Sequence, residues 1–559
     1  MPGGLMNLVS QGQQNIILNG NPTKSFFKTV YAKYTNFGLQ KFRVDFEGSK
    51  TLRLTEPSTF TFKVPRYADL LMDTYLSVSL PNIWSPIMPP QQTTGAENEG
   101  VWVPYEFKWI DNLGAKMISK ITITCGNQTL QEFSGDYLLA MVQRDYSTDK
   151  LALFNKMIGN VAELNDPGNS GARVNSYPNA YFTTDPAGVE PSIRARTIYI
   201  PLNAWFNLKS QMAFPLVALQ YNELYINVTL KPINQLFQIR DVFDSANNYP
   251  YVAPNFNVFY MQFYRFLQPP PDIALNLDSF IDTRTLWNID INLQCTYCFL
   301  SNEESRYFAT NEQKYLFKQV HETIFYNVTG SNKVQLDSLG MIANWMFYFQ
   351  RSDVNLRNEW SNYTNWPYNY LPVDLKPASP IGNYPVTRYP GPVTVNIGPG
   401  VNVDGKLTGL MVSDTYSIQN NKEILINLGI LLDGSYRENT QAEGVYNLIE
   451  KYTRTSGNAP DGLYCYNFCL NTSPVDLQPS GAINMSRFNQ IEFEFVTISP
   501  PLDPLAQTLT ICDPQTGAII GVNKPTWRIY FYNFDLHVFE ERINMITFVG
   551  GNCALQYAT

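Results

Sequence analysis

The stretch Ser58-Thr-Phe-Thr-Phe-Lys-Val64 sets Phe60, Phe62 and Val64 on one side of an extended chain and Thr59, Thr61 and Lys63 on the other. Successive side chains of a strand point to opposite faces, so this alternation predicts a strand with one face in a core and the other in water. The same period-2 pattern returns at Ile121/Ile123/Cys125, Leu224/Ile226/Val228/Leu230, Ile491/Phe493/Phe495 and Tyr530/Tyr532/Phe534/Leu536/Val538. Half-buried strands along the whole length predict antiparallel sheets packed as sandwiches. One segment departs from the pattern. After Ser134, read as an N-cap, Leu138, Met141, Val142, Leu151, Phe154, Met157 and Ile158 recur at helical spacing and predict one or two short helices between Asp136 and Gly159.

Composition agrees with many strands. Aromatic residues make up 14% of the 559 residues and charged residues 16%, against a typical quarter. Length allows three or four ordinary domains, or two large β-sandwiches of about 200–250 residues each. The rigid run Gln268-Pro-Pro-Pro-Asp272 cannot sit in a central strand and predicts a break between two halves. Pro81 to Pro104, Gly159 to Arg194 and Arg351 to Gly405 read as long loops, and the Trp and Tyr within them predict ordered loops that pack on a surface.

Charge excludes some functions. The chain carries 40 basic and 48 acidic residues, a net −8, with no Lys/Arg block of the kind that grips phosphates, so direct nucleic-acid binding is not expected. There is no run of 18 apolar residues, and residues 1–20 lack a basic start and a sustained apolar stretch, which predicts a chain that neither spans a membrane nor carries a secretory leader. Seven cysteines are too few for a disulfide scaffold.

Catalytic chemistry finds little to work with. There are two histidines, His321 and His537, and the strand placement of His537 reads as a surface or interface position. No nucleophile elbow, zinc-protease helix or phosphate-binding loop occurs, and Gly398-Pro-Gly-Val-Asn-Val-Asp-Gly405 reads as a turn-rich loop. Cys295/Cys298 and Cys465/Cys469 have the number of thiols for a zinc site, but Cys295 lies in the strand-like Ile291–Leu300, where positions three apart face opposite ways. They read as small buried hydrophobes, with no metal and no cofactor expected. Glu303/Glu304 and Glu540/Glu541 would diverge on strands and read as solvated edges rather than a glycosidase pair. Six Asn-x-Ser/Thr sequons stand at Asn127, Asn227, Asn327, Asn362, Asn471 and Asn484.

Leu8 to Pro22 followed by Phe26 to Phe37, Trp109-Ile-Asp-Asn-Leu-Gly114, Pro215 to Glu223, Phe299 to Ala309, Tyr464 to Leu470 and Gln478-Pro-Ser-Gly-Ala-Ile-Asn-Met-Ser-Arg487 form a set spread over most of the chain. Together they resemble segments of the double jelly-roll major capsid proteins of nucleocytoplasmic large DNA viruses. The last is similar to the family's most specific block, with Met485 in place of Phe. In it Gln478, Pro479, Ser480 and Gly481 read as a turn, while Asn484, Ser486 and Arg487 can tie the next strand to its neighbours. That packing role argues against a glycan on Asn484, leaving Asn362 and Asn127 as the first candidates, ahead of Asn227, Asn327 and Asn471.

The resemblance implies an all-β chain of two consecutive eight-stranded antiparallel jelly rolls with a few short helices. Its expected divisions are an N-terminal arm at 1–25, a first jelly roll with linker at 26–277 and a second at 278–559. It implies a structural, non-enzymatic role, in which homotrimers form pseudo-hexagonal capsomers that tile the icosahedral shell of a large double-stranded DNA virus. The expected partners are neighbouring capsomers, minor capsid proteins and, through the arm, an inner membrane. The expected location is the virion shell, assembled in the host cytoplasm, with the loop from Arg351 projecting outward. A carbohydrate-active enzyme or lectin on a β-sandwich, or a minor capsid protein of the same fold, is the alternative.

Overall fold

The computed structural model describes the chain apart from residues 1, 11, 49–50, 89–102, 245–248, 273–278, 285–286, 370–374, 378–382, 389–390, 397–410, 414–417, 504–508, 513–515, 524–528 and 558–559. Most of the Arg351 to Gly405 loop beyond Asn369, and much of Pro81 to Pro104, therefore lies outside the described residues.

The first sandwich is built from β1 (Phe37–Asp45), β2 (Ser58–Lys63), β3 (Leu70–Leu80), β4 (Ile118–Cys125), β5 (Gln128–Phe133), β6 (Arg196–Pro201), β7 (Leu224–Leu230) and β8 (Ile291–Leu300). They form two sheets, ordered β1-β8-β3-β6 and β2-β7-β4-β5. The second sandwich comprises β9 (Gln313–Phe325), β10 (Ser331–Gln335), β11 (Met341–Arg351), β12 (Leu425–Leu432), β13 (Ser435–Ala442), β14 (Leu463–Asn467), β15 (Ile491–Thr497) and β16 (Phe534–Val549). Its sheets run β9-β16-β11-β14 and β10-β15-β12-β13. The order is the same in both halves: first, eighth, third and sixth strand in one sheet, second, seventh, fourth and fifth in the other. That is the jelly roll twice over.

The alternating strands fall as their sequences demand. Phe60, Phe62, Ile121, Ile123, Ile226, Val228, Phe493 and Phe495 are buried, and the residues between them face outward or lie half-buried. Helices α3 (Gly135–Asp145) and α4 (Thr148–Met157) fill the predicted helical segment, with Ser134 accepting a hydrogen bond from Tyr137 N. Such a cap contributes about 1 kcal/mol. Among the described residues no helix is long and apolar enough to cross a membrane.

Two expected divisions shift. The boundary placed near Asp278 is wrong, because Ile291–Leu300 is a strand of the first sandwich, paired along its length with β1 on one side and β3 on the other. A jelly roll closes by bringing its last strand back beside its first, so the prolines at 269–271 lie within the first domain's final crossover. The passage to the second sandwich is helix α5 (Asn302–Thr310). Glu303 and Glu304 consequently stand in the first turn of that helix rather than on a strand edge, where the helix dipole favours negative charge. The arm is also longer than expected. The first strand begins at Phe37, and residues 28–36, which follow the turn at Phe26 and Phe27, are exposed and outside any helix or strand. Two short helices, α1 (Gly3–Val9) and α2 (Gln13–Asn19), precede them without a buried residue.

Candidate functional site

The sequence of β11, Met341-Ile-Ala-Asn-Trp-Met-Phe-Tyr-Phe-Gln-Arg351, does not alternate, and all but its first residue are buried. A continuous run of this kind marks a strand covered on both faces. Trp345, Phe347 and Phe349 enter the core of the second sandwich together with Leu536 and Val538 of β16. Met346, Tyr348 and Phe539 point the other way and join the core of the first. The sheet β9-β16-β11-β14 is thus shared between the two sandwiches, and its outer face is the seam that makes them one body.

Aromatic contacts cross this seam at Tyr137–Phe539, Trp205–Phe317 and Phe214–Phe548. Each buried aromatic ring contributes about 2–3 kcal/mol. A second-domain loop also lies flat on α3: Gly457 N donates to Arg144 O at 2.8 Å, and a Cβ on Gly457 would come within 2.6 Å of that oxygen. A cavity of about 60 Å3 beside Trp205, Phe317 and Cys469 has room for about two water molecules.

Two ionic clusters are buried in the seam. In the first, the Arg144 guanidinium donates from Nη2 to Asp145 Oδ2 at 2.6 Å and to Glu541 Oε1 at 2.8 Å, and from Nη1 to Asn344 Oδ1 at 2.8 Å. Tyr137 OH and Asn344 Nδ2 also donate to Glu541, at 2.9 and 2.8 Å, and Lys318 Nζ stands 3.1 Å from it. Thr472 Oγ1 donates to Asp145. Burial would raise the Glu541 carboxyl, but Arg144 and Lys318 outweigh it and hold it down at about 2. Burial pushes Asp145 upward against the pull of Arg144. Glu541 is therefore the anion that the cluster keeps most firmly ionised.

In the second cluster Lys116 Nζ donates to Asp136 Oδ1 at 2.6 Å and to Tyr363 OH at 3.1 Å, and Lys231 Nζ lies 3.8 Å from Asp136 Oδ2. His537 stacks on Tyr348, with ring centroids 4.7 Å apart. Burial pushes its imidazole down to about 4, helped by Lys116 and Lys231 against Asp136. Glu322 accepts from Ser134 N at 2.6 Å. Burial, with Asp136 and Glu132 nearby, raises its carboxyl to about 7.

These positions correct and sharpen the sequence reading. Glu540 and Glu541 do diverge, but neither is a solvated edge, since both are buried. Glu540 turns to the inner side of the sheet, where Trp345 Nε1 donates to it at 2.8 Å and Ser338 also donates. Their charge is tolerated because every oxygen meets a donor. His321 pairs opposite Glu540 and His537 opposite Ile324, which puts the two histidines on opposite faces of the sheet. Among the described residues no group of three or more His, Cys, Asp or Glu could hold a metal ion. Cys295 and Cys298 fall on opposite sides of β8, in separate apolar clusters.

Asn362, a first choice for a glycan, is 5% exposed, its Nδ2 donating to Trp366 O and its Oδ1 accepting from Thr364 N. The tight turn it makes buries the side chain, so that expectation is wrong. Asn127, Asn327, Asn471 and, against the expectation that its block buries it, Asn484 are exposed, and Asn227 is half-buried on the outward side of β7. In the 478–487 block, Ser480 Oγ accepts from Asn471 N, Asn484 Oδ1 accepts from Ser486 N, and Ser486 Oγ accepts from Gly340 N. Met485 is wholly buried, so the block pins the entry to β15 against the start of β11.

Two jelly rolls of one topology, joined through a shared sheet, define a double jelly-roll protein. Residues 25–265 match the family model described as major capsid protein N-terminus, and residues 304–548 match that of the large eukaryotic DNA virus major capsid protein. The chain belongs to this capsid protein family. It is 29% identical over 357 residues to the major capsid protein of Chrysochromulina ericina virus, which covers 60% of this chain and 55% of that one. The chain therefore matches only about half the length of that relative. It is 25% identical over 575 residues to the major capsid protein of Phaeocystis pouchetii virus, covering 96% and 97%. Among solved structures, the PBCV-1 virus capsid aligns with a TM-score of 0.58 at 18% identity, covering 96% of this chain and all of that one.

Proposed function

We propose that this chain is the main building block of an icosahedral shell, with three copies forming a pseudo-hexagonal capsomer. The observation that carries the reading is the identical strand order of the two sandwiches, held as one body by a buried seam. Two equivalent jelly rolls per chain turn a trimer into a ring of six similar units. Adhesion across the seam comes from its apolar rings, because buried ion pairs roughly break even against their desolvation. What the pairs add is a fixed angle between the sandwiches, which a ring of six needs. The arm, reaching beyond the first sandwich, serves assembly alongside neighbouring capsomers, minor capsid proteins or an inner membrane. Glycans, where the virus adds them, belong on the exposed Asn127, Asn327 and Asn471.

Light scattering on the purified chain should give three times the monomer mass, and electron microscopy should show hexagonal particles. A stable monomer at micromolar concentration would sink this reading. A minor capsid role on the same fold is separated by stoichiometry: the chain should dominate the protein of purified particles.

A further inference from the structure

Charge is unevenly divided along the sequence. The first 44 residues hold five basic residues and no acidic one, leaving 35 basic against 48 acidic residues for the rest. Every described residue of the arm from Thr23 to Asn36 is exposed, with Phe26 and Phe27 fully open to solvent and Val30, Tyr31 and Tyr34 more than four-fifths so. Lys24, Lys28 and Lys33 are interleaved with these rings, and none of the three forms an ion pair among the described residues. The arm leaves from β1, an edge strand whose single neighbour is β8. Residues 25–36 alone can span about 40 Å, more than the roughly 30 Å radius of a body of this length.

An exposed basic and aromatic arm joined to an acidic body is complementary to that body, yet in this structure it does not lie on its own. We propose that the arm docks on the acidic outer surface of a second copy of this chain, its lysines meeting carboxylates while Phe26, Phe27, Tyr31 and Tyr34 bury their rings. The proposal rests on the capsid reading and names the arm's partner within it. It also gives the charge division a purpose. Bodies with an excess of 13 acidic groups repel one another as they crowd into a shell, and arms laid across neighbours offset that repulsion.

The test uses the full-length chain with a photo-crosslinking phenylalanine analogue at position 27, alone and at assembly concentration. The expected product is a crosslink between two copies, mapped by isotope mixing and mass spectrometry to an acidic surface. The triple variant K24E/K28E/K33E, or 0.5 M salt, should weaken it about tenfold. Crosslinks confined to a single copy would overturn the proposal. So would inter-copy crosslinking indifferent to salt and to charge reversal, or its loss to vesicles of phosphatidylserine and phosphatidylcholine that capture the arm instead. Native mass separates this from the capsid reading: the triple variant should still be a trimer, whereas a wild-type chain that never trimerises condemns the capsid reading whatever the arm does.

Discussion

The two ionic clusters of the seam use the same kinds of side chain and balance them differently. Around Arg144, two cations meet two anions, and the donors of Tyr137, Asn344 and Thr472 complete the carboxylates. Around Lys116, two lysines share the single carboxylate of Asp136, and the other ionisable neighbours, His537 and Glu322, are shifted toward their neutral forms. The first cluster is matched in charge and indifferent to pH near neutrality. The second tolerates its imbalance by leaving protons free to move. One fixes the seam, and the other lets the seam respond to its surroundings.

The difference predicts a steep ranking of substitutions. Arg144→Ala strands Asp145 and Glu541 in the seam with only Lys318 beside them, and should cost about 3–5 kcal/mol. The loss should appear as a lower urea midpoint. Lys116→Met removes the closer partner of Asp136 but leaves Lys231, and should cost less, about 2–3 kcal/mol. If both substitutions had equal effects, the distinction between a matched and an unmatched cluster would fail.

The second cluster should also reveal itself through pH. Glu322, raised to about 7 from an ordinary 4.5, holds a proton in the fold that the unfolded chain has released, so its contribution falls as pH climbs through that window. His537, lowered to about 4 from 6.5, works the opposite way: the unfolded chain takes up the proton first, so stability falls as pH drops from 6.5 toward 4. Between 4.5 and 6.5 the two slopes cancel, and the intact chain should be nearly flat. Glu322→Gln should then lose about 2 kcal/mol on acidification, and His537→Gln a similar amount as pH rises from 4.5 to 7, after allowance for their partial exposure. Melting temperatures across this range test it, and parallel profiles for both variants would refute the coupling.

Much of the fold was legible because alternation is a local signal. Phe60/Phe62/Val64 and its counterparts needed only their neighbours in sequence to declare a strand and its buried face. The seam was half legible: the run from Ile342 to Phe349, apolar but for Asn344, is the mark of a strand covered twice, although it lacks the alternation that declares the other strands. The ionic clusters were not legible. Arg144 and Glu541 lie 397 residues apart, and a charged triplet such as Glu540-Glu541-Arg542 ordinarily sits in water. The proline run misled for a related reason, since stiffness marks a connection without saying whether it joins two domains or two strands of one. Asn362 looked accessible because long loops usually are, whereas this one folds back on its own carbonyls.

The smallest effect bears on whether Arg144 alone carries the first cluster. Lys318 keeps 23% of its side chain exposed, lies 3.1 Å from Glu541 and donates to Thr472 O at 2.7 Å. With water within reach it has lost little hydration, so its ion pair resembles a surface pair more than a buried one. Lys318→Met keeps the stem that packs on the seam and removes the charge, leaving Glu541 with the guanidinium, Tyr137 and Asn344. The expected cost is about 1 kcal/mol, and it should shrink further in 0.5 M salt, because exposed charges are screened and enclosed ones are not. The Arg144→Ala penalty should hold constant over the same change. A Lys318→Met loss as large as that of Arg144→Ala, and equally insensitive to salt, would mean that the four charges act as one unit and that no single guanidinium anchors the seam.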